Sequence, residues 1–340
     1  MKEPMSINTV YQEIKKKERP VAILLGNGIN LYFQIGQSWY ELLHQLYEKF
    51  LLTQKPDIGF NTDYFNNFDI SPTEFYDIIE SYNLSDLNEE NILQQNYPIK
   101  RFMQSNIAHW AYKPVNVEKL SFFIKTIVSK NIPILTTNYD NFLINSAPEI
   151  FSHHKKENRR YNEVKISTYK PFYINKFLSD IYPLNNYYSS EIIKDIENIE
   201  NNFAVWHIHG MINYFRSLRI GQNDYFHFIK KLTNKIDYKH LIKEGNLNGV
   251  KYTWLKIFFT SDLIILGLRL EYSDYVLRWL LNERFKFNKF NKKNLKTYFV
   301  YKSGVNQGRN FLFNMLDIDL VKVENYKAMY ENFPKKLKYY

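Results

Sequence analysis

The chain of 340 residues carries no cysteine, which excludes disulfides and thiolate metal sites and suits a reducing cytoplasm. Hydrophobic content of 45% and aromatic content of 17% exclude a largely disordered chain. The net charge of +10 comes from lysines at 15–17, within 286–296 and near the C-terminus; scattered in this way they read as solvated surface, and nucleic acid is at most an indirect partner.

Residues 1–20 hold lysines with no apolar run behind them, so no signal peptide is expected, and the compartment expected is the cytoplasm. The longest apolar runs, such as Leu263–Leu266, are too short to span a bilayer, and no membrane partner is expected. The first predicted strand, Val21–Leu25, runs into Gly26-Asn27-Gly28. Such a turn lets the backbone come close to a pyrophosphate, with free N–H groups from the helix that follows. The usual dinucleotide fingerprint is incomplete here. Its third glycine position is Leu31, and no acidic residue ends a second strand about twenty residues on, so a hydride-transferring enzyme does not fit. A tight turn with only a structural role stays open at this point.

Residues 37–115 read as helices. Trp39, Leu42, Leu43, Leu46 and Phe50 share one helical face, and Ser71, Pro72 and Glu74 form a capping box at the start of another helix. With no strand signal between them, this stretch is a helical insertion between the first two strands. Leu120, Phe123, Ile124 and Ile127 then repeat at helical spacing until Asn131 and Pro133 break into the strand Ile132–Thr136. That strand delivers Thr136, Thr137, Asn138 and Asp140 to its C-terminal edge, where open α/β sheets bind ligands. Asn138 both donates and accepts, and ionised Asp140 only accepts; an Asx turn with Asp140 capping the next helix is the competing reading. Residues 151–200 form a second insertion, rich in Tyr and Asn, in which only a helix at 190–200 is expected.

The strand Phe203–Ile208 leads into His209-Gly210. His207 and His209, two apart, are expected on one side of it. With no cysteine and no third ligand in view, a metal pair is not expected. His209 beside Gly210 is the functional candidate and His207 a packed one, against the reading of both as satisfied core histidines. Strand Leu263–Leu268 turns at Gly267 ahead of a helix whose pattern starts at Asp274 and Leu277, and Thr297–Tyr301 and Asp319–Val323 complete about six strands. The alternation of strands and helices gives an α/β fold: a Rossmann-like, doubly wound parallel sheet with a helical insertion module. One domain spans 1–340, with core segments at about 18–36, 116–150 and 201–340.

In this order, Gly26-Asn27-Gly28-Ile29-Asn30, Thr136-Thr137-Asn138-Tyr139-Asp140, His209-Gly210 and Gly267-Leu268-Arg269 resemble the sirtuin-like proteins. Their pattern is a GAG-x-S turn, a T-Q-N-x-D strand end, an H-G pair and a G-x-S turn. The resemblance spans residues 20–305 and is closer to the bacterial branch that cleaves NAD in anti-phage defence than to protein deacylases. It departs from the pattern where deacylases carry a four-cysteine zinc module, where a cofactor-loop Asp and Arg follow the first turn, and at Leu268 and Arg269, which replace small hydroxyl residues.

The resemblance implies a six-stranded core with NAD in the cleft beside the helical module, NAD being substrate and zinc not required. It implies an NAD hydrolase that depletes NAD, with Asn138 and His209 as catalytic residues. Gly26, Asn27, Gly28, Asn30, Thr137, Asp140 and Gly267 would bind the dinucleotide. His209 would act as a base with a pKa near neutrality. An NAD-destroying enzyme needs control, so a homo-oligomer or a defence partner such as a HerA-type ATPase or a short Argonaute is expected. The alternatives are an NAD or ADP-ribose sensor without catalysis, and a sirtuin-type deacylase or ADP-ribosyltransferase.

Overall fold

The computed structural model describes residues 3–17, 19–66, 70–84, 98–108, 114–157, 160–165, 184, 187–189, 196–212, 217–251, 253–303 and 306–337. Apolar, β-branched runs give β1 (Val21–Leu25), β2 (Ile134–Thr136), β6 (Val205–His207), β7 (Asp262–Leu266), β8 (Thr297–Tyr301) and β9 (Ile318–Lys322). Every residue of β1 and β7 is buried, as expected of strands covered on both faces. β3 (Ser152–Glu157), β4 (Arg160–Lys165) and β5 (Tyr187–Ser189) join them in one sheet of order β4-β3-β5-β6-β2-β1-β7-β8-β9.

The strands from β6 to β9 pair in parallel. Taken in chain order, these parallel strands lie as third, second, first, fourth, fifth and sixth. This is the strand order of doubly wound dinucleotide-binding sheets, with a crevice expected between β1 and β7 where the order reverses. β3, β4 and β5 extend the sheet antiparallel from β6, which is how the second insertion is built. The helix expected over 190–200 is a 3₁₀ helix at Ile196–Asn201, and residues 190–195 lie outside the described residues. β2 starts after Pro133 rather than at Ile132, because proline has no N–H for the ladder. β7 stops at Leu266 because Gly267 takes a positive φ of 68°.

Alternate residues of β1 feed opposite layers. Ile23 and Leu25 pack with Leu120, Phe123 and Ile127 on one face, whereas Ala22 and Leu24 join Trp254, Phe258 and Leu280 on the other. Between β1 and β2, helices Trp39–Phe50, Pro72–Leu84 and Pro98–Ala108 form a third cluster around Leu43, Leu46, Tyr76 and Met103. Reciprocal Ser–Glu capping boxes fix two of these helices, Ser38 with Glu41 and Ser71 with Glu74. The module docks on the segment after β6 through Ile212, Leu218 and Ile220, and through a buried Lys100–Asp224 ion pair at 2.6 Å. Among the described residues, no helix is long and apolar enough to cross a membrane.

At the opposite end of the sheet, Arg284 is buried within helix Tyr275–Phe290. It donates to the carbonyls of Phe258, Ser261 (2.6 Å) and Lys296 (3.0 Å) and to Thr297 Oγ1 (3.1 Å). Burial pulls its pKa down to about 9, which leaves it a cation at neutral pH. Its guanidinium ties the helix before β7, the loop ahead of β8 and the helix between them. Arg284→Met should destabilise the fold by ~3–5 kcal/mol, because several buried acceptors lose their donor at once. Urea denaturation at neutral pH checks this, and a loss below ~1 kcal/mol would show that the clamp is dispensable.

Candidate active site

Register decides where the four motifs meet. Leu25 lies opposite Thr136, Thr136 opposite His207, and Leu25 opposite Leu266 on the other side. Four neighbouring strands therefore end level. Gly26, Thr137, Ile208 and Gly267 form the next level, and Asn138 and His209 each lie two residues beyond the paired Thr136 and His207. The Ile208 N–H donates to Thr136 O at 2.8 Å and the Thr137 N–H to Leu25 O at 3.0 Å, which carries the alignment past the strand ends.

The glycines serve close approach between the β1 and β7 turns. A Cβ on Gly26 would lie 2.5 Å from Gly267 O, and one on Gly28 would lie 2.7 Å from Gly267 Cα and from the Tyr330 hydroxyl. The Gly28 N–H donates to Gly267 O at 3.0 Å and the Gly26 N–H to Leu266 O at 2.9 Å. Of the N–H groups expected free in helix Gly28–Phe33, the first, on Gly28, is taken by the neighbouring turn. Gly267 is half-buried against the same contact.

Side chains link the first turn to the second motif. Asn27 Nδ2 donates to Gln37 O at 2.9 Å, and Asn30 Nδ2 donates to Asn27 Oδ1 (3.0 Å) and Asp140 Oδ2 (2.7 Å). Asp140 Oδ1 accepts from the Phe142 N–H at 3.0 Å, an Asx turn as read, although the N-cap of helix Phe142–Asn145 is Asn141 and not Asp140. Burial pushes its carboxyl up to about 6, against the lowering effect of these bonds. Thr137 is half-buried, with its hydroxyl 3.5 Å from Leu25 O.

Asn138 and His209 stand apart from this satisfied chain. Asn138 is 5% exposed, yet neither Nδ2 nor Oδ1 has a hydrogen-bond partner among the described residues. His209 is 6% exposed, and its Nε2 likewise has none. Asn30 Oδ1 and His207 Nε2 are two further such atoms. Buried groups left unpaired cost ~1–3 kcal/mol each, so a cluster of them marks a place that a polar ligand or water completes. Asn138 offers a donor and an acceptor side by side.

The histidines do not share a face. β6 ends at His207, whose Nδ1 meets Asn138 O at 2.8 Å and whose ring stands edge-on to Tyr188. His209 lies past the strand end and packs on Tyr225 and Phe228 in the opposite layer. A turn over residues 208–209, closed by the Gly210 N–H on His207 O at 3.4 Å, makes this reversal; Gly210 then takes φ 101°, where a Cβ would lie 2.2 Å from Ser217 O. Burial also corrects the expected basicity. It lowers the pKa of His209 to about 3, and of His207 to about 4, so both are neutral at pH 7. Among the described residues no group of His, Asp or Glu is arranged to hold a metal ion.

Two tyrosines at the site carried no usable signal in the sequence. Tyr139 lies inside the second motif, where its neighbours drew the attention, and Tyr225 lies in helix Gln222–Thr233 with no motif around it. Tyr225 Oη is 3.5 Å from His209 Nδ1, and the Tyr139 hydroxyl donates to the Arg219 carbonyl. No protein-family model matches this chain, and no curated protein sequence matches it. The site is therefore defined by its own geometry.

His209 should leave a mark on stability. Its native pKa lies below the unfolded value of 6.5, so its contribution is complete above pH 6.5 and is lost as pH falls towards about 3. Asp140 acts in the opposite sense between about 6 and 3.8 but is common to wild type and variant. On moving from pH 7.5 to pH 5, wild type should lose ~2 kcal/mol more than His209→Gln. Urea denaturation at both pH values reads the difference; an equal loss would place His209 in solvent.

Proposed function

We propose that this site binds NAD and hydrolyses the bond between nicotinamide and ribose. The observation that carries the reading is a pair of buried groups without a partner among the described residues, the Asn138 carboxamide and His209 Nε2, at the C-terminal edge of a doubly wound sheet. Neutral donors and acceptors of this kind match ribose hydroxyls. The glycine turns of β1 and β7 lie where the strand order reverses, the place where sheets of this order hold a dinucleotide's pyrophosphate. Motif order adds the sirtuin-like reading of the fold, with the helical module closing one side of the cleft.

Nicotinamide in NAD is a cationic leaving group. As its bond to C1′ of ribose breaks, it takes the bonding pair and departs neutral, leaving oxocarbenium character on the sugar. Water then attacks C1′, giving ADP-ribose, and the proton lost from that water goes to His209 Nε2 and on to solvent. Asn138 orders the ribose or the attacking water, which is largely a matter of position and exclusion of bulk water. The phosphates of NAD supply negative charge that favours protonated His209 in the complex. Asp140 holds Asn30 on one side of the ribose and remains available to the nicotinamide amide. In a cell the outcome is loss of NAD, a defence effect that calls for control by self-association or by a partner such as a DNA translocase or an Argonaute.

The weak basicity of His209 favours a second reading, a module that holds NAD or ADP-ribose without cleaving it. Release of nicotinamide from NAD, followed for the purified chain alone and with its neighbouring gene products, separates the two. Hydrolysis predicts release by wild type and a loss of at least ~100-fold in Asn138→Ala and His209→Ala. Full turnover in both variants would overturn this mechanism, and tight NAD binding without release would support the sensor.

A further inference from the structure

We propose that His207 is a positioning residue for Asn138: its Nδ1–H clamps the Asn138 carbonyl and so fixes where the Asn138 carboxamide meets the ligand. The inference deepens the NAD reading and rests on it for the ligand, though not for the clamp.

The acceptor gives the bond its direction. His207 Nδ1 lies 2.8 Å from Asn138 O, and a backbone carbonyl can only accept, so Nδ1 carries the hydrogen. The other tautomer would set two lone pairs against each other at that distance. It would also leave an N–H at Nε2, where no acceptor lies among the described residues. Asn138 lies beyond the β2–β6 ladder, where no strand partner takes its carbonyl, and the imidazole supplies that donor.

The backbone around this bond is pinned from several sides. The Thr137 N–H donates to Leu25 O at 3.0 Å, and the Asn138 N–H donates to Thr136 Oγ1 at 3.1 Å. That hydroxyl in turn donates to Leu25 O at 3.2 Å. One residue on, the Ile212 N–H donates to Tyr139 O at 2.8 Å. Thr136 stands opposite His207 in the parallel pair, so both side chains leave the same face of the sheet and hold Asn138 by its N–H and its carbonyl. The Tyr188 ring meets the imidazole edge-on at 5.8 Å and sets its plane. Asn138 thus has its backbone tied to β1, β2 and β6, while its carboxamide has no partner among the described residues. His207 acts through Asn138 rather than on the ligand.

Nitrogen NMR of protein labelled at histidine reads the tautomer, with the His207 signals assigned by their loss in His207→Asn. Wild type at pH 7 should show a protonated Nδ1 and an unprotonated Nε2; an Nε2–H tautomer overturns the clamp. Asparagine carries its side-chain nitrogen as many bonds from the backbone as Nδ1 and can donate in its place, whereas phenylalanine keeps a ring and loses the donor. In tyrosine-labelled protein the Tyr139 amide, on the peptide whose carbonyl is clamped, should shift in His207→Phe and return towards wild type in His207→Asn. In nicotinamide release, His207→Phe should lower kcat by at least ~10-fold with little change in KM, and His207→Asn should restore it to within ~3-fold of wild type. Full kcat in folded His207→Phe, or a folded His207→Asn as slow as His207→Phe, overturns positioning by this bond. The NMR results need no NAD. An Nδ1–H tautomer with the Tyr139 shift but no nicotinamide release would keep the clamp and reject hydrolysis, whereas release with an Nε2–H tautomer would do the reverse.

Discussion

The level ending of β7, β1, β2 and β6 is the constraint on which everything else depends. Because Leu266, Leu25, Thr136 and His207 are in register, four short motifs far apart in the chain arrive at one edge of the sheet. A slip of one residue in any of these pairs would turn that strand's side chains to the other face. The glycine contacts depend on the same register, since Gly26, Gly28 and Gly267 approach within distances that allow no side chain.

Two kinds of polar group share this edge, and their contrast is informative. Asn27, Asn30 and Asp140 bond one another and tie the first turn to the second. Among the described residues the Asn138 carboxamide and His209 Nε2 have no partner, nor do Asn30 Oδ1 and His207 Nε2, although all are deeply buried. The bonded atoms read as scaffold, and the unpartnered ones mark where a polar ligand or water is received. Within that scaffold Asn30 braces Asp140 directly, and Asn27 holds Asn30 and the Gln37 carbonyl.

Much of the core could be read from residues. Continuous apolar runs announced the parallel strands; bounds shifted at Pro133 and Gly267, and β6 and β9 are Val205–His207 and Ile318–Lys322 rather than Phe203–Ile208 and Asp319–Val323. The edge strand β4 and its neighbour β3 were not legible, because SHHKKE and RYNEVK show no apolar alternation and are joined to the sheet through backbone pairing. At the site, Asn138, Asp140, His209 and the glycines were found from motif chemistry. The separation of His207 from His209 was not, since strand periodicity does not say that the strand stops one residue before Ile208. Tyr225 was beyond reach for a different reason: it is one of 28 tyrosines, and only the folded chain brings it to His209. The near-neutral basicity expected of His209 failed because burial is a property of the fold, not of the residue.

The central claim is that Asn138 and His209 Nε2 are held open for the ribose of NAD. A crystal structure of the wild-type chain with an NAD analogue whose nicotinamide–ribose bond cannot be cleaved tests it most directly. The account predicts a ribose hydroxyl within hydrogen-bond distance of His209 Nε2, the Asn138 carboxamide on the ribose or on a water facing C1′, and the pyrophosphate over Gly26–Gly28 and Gly267. An analogue bound elsewhere, with both groups still unpartnered or bonded only to water, would contradict it.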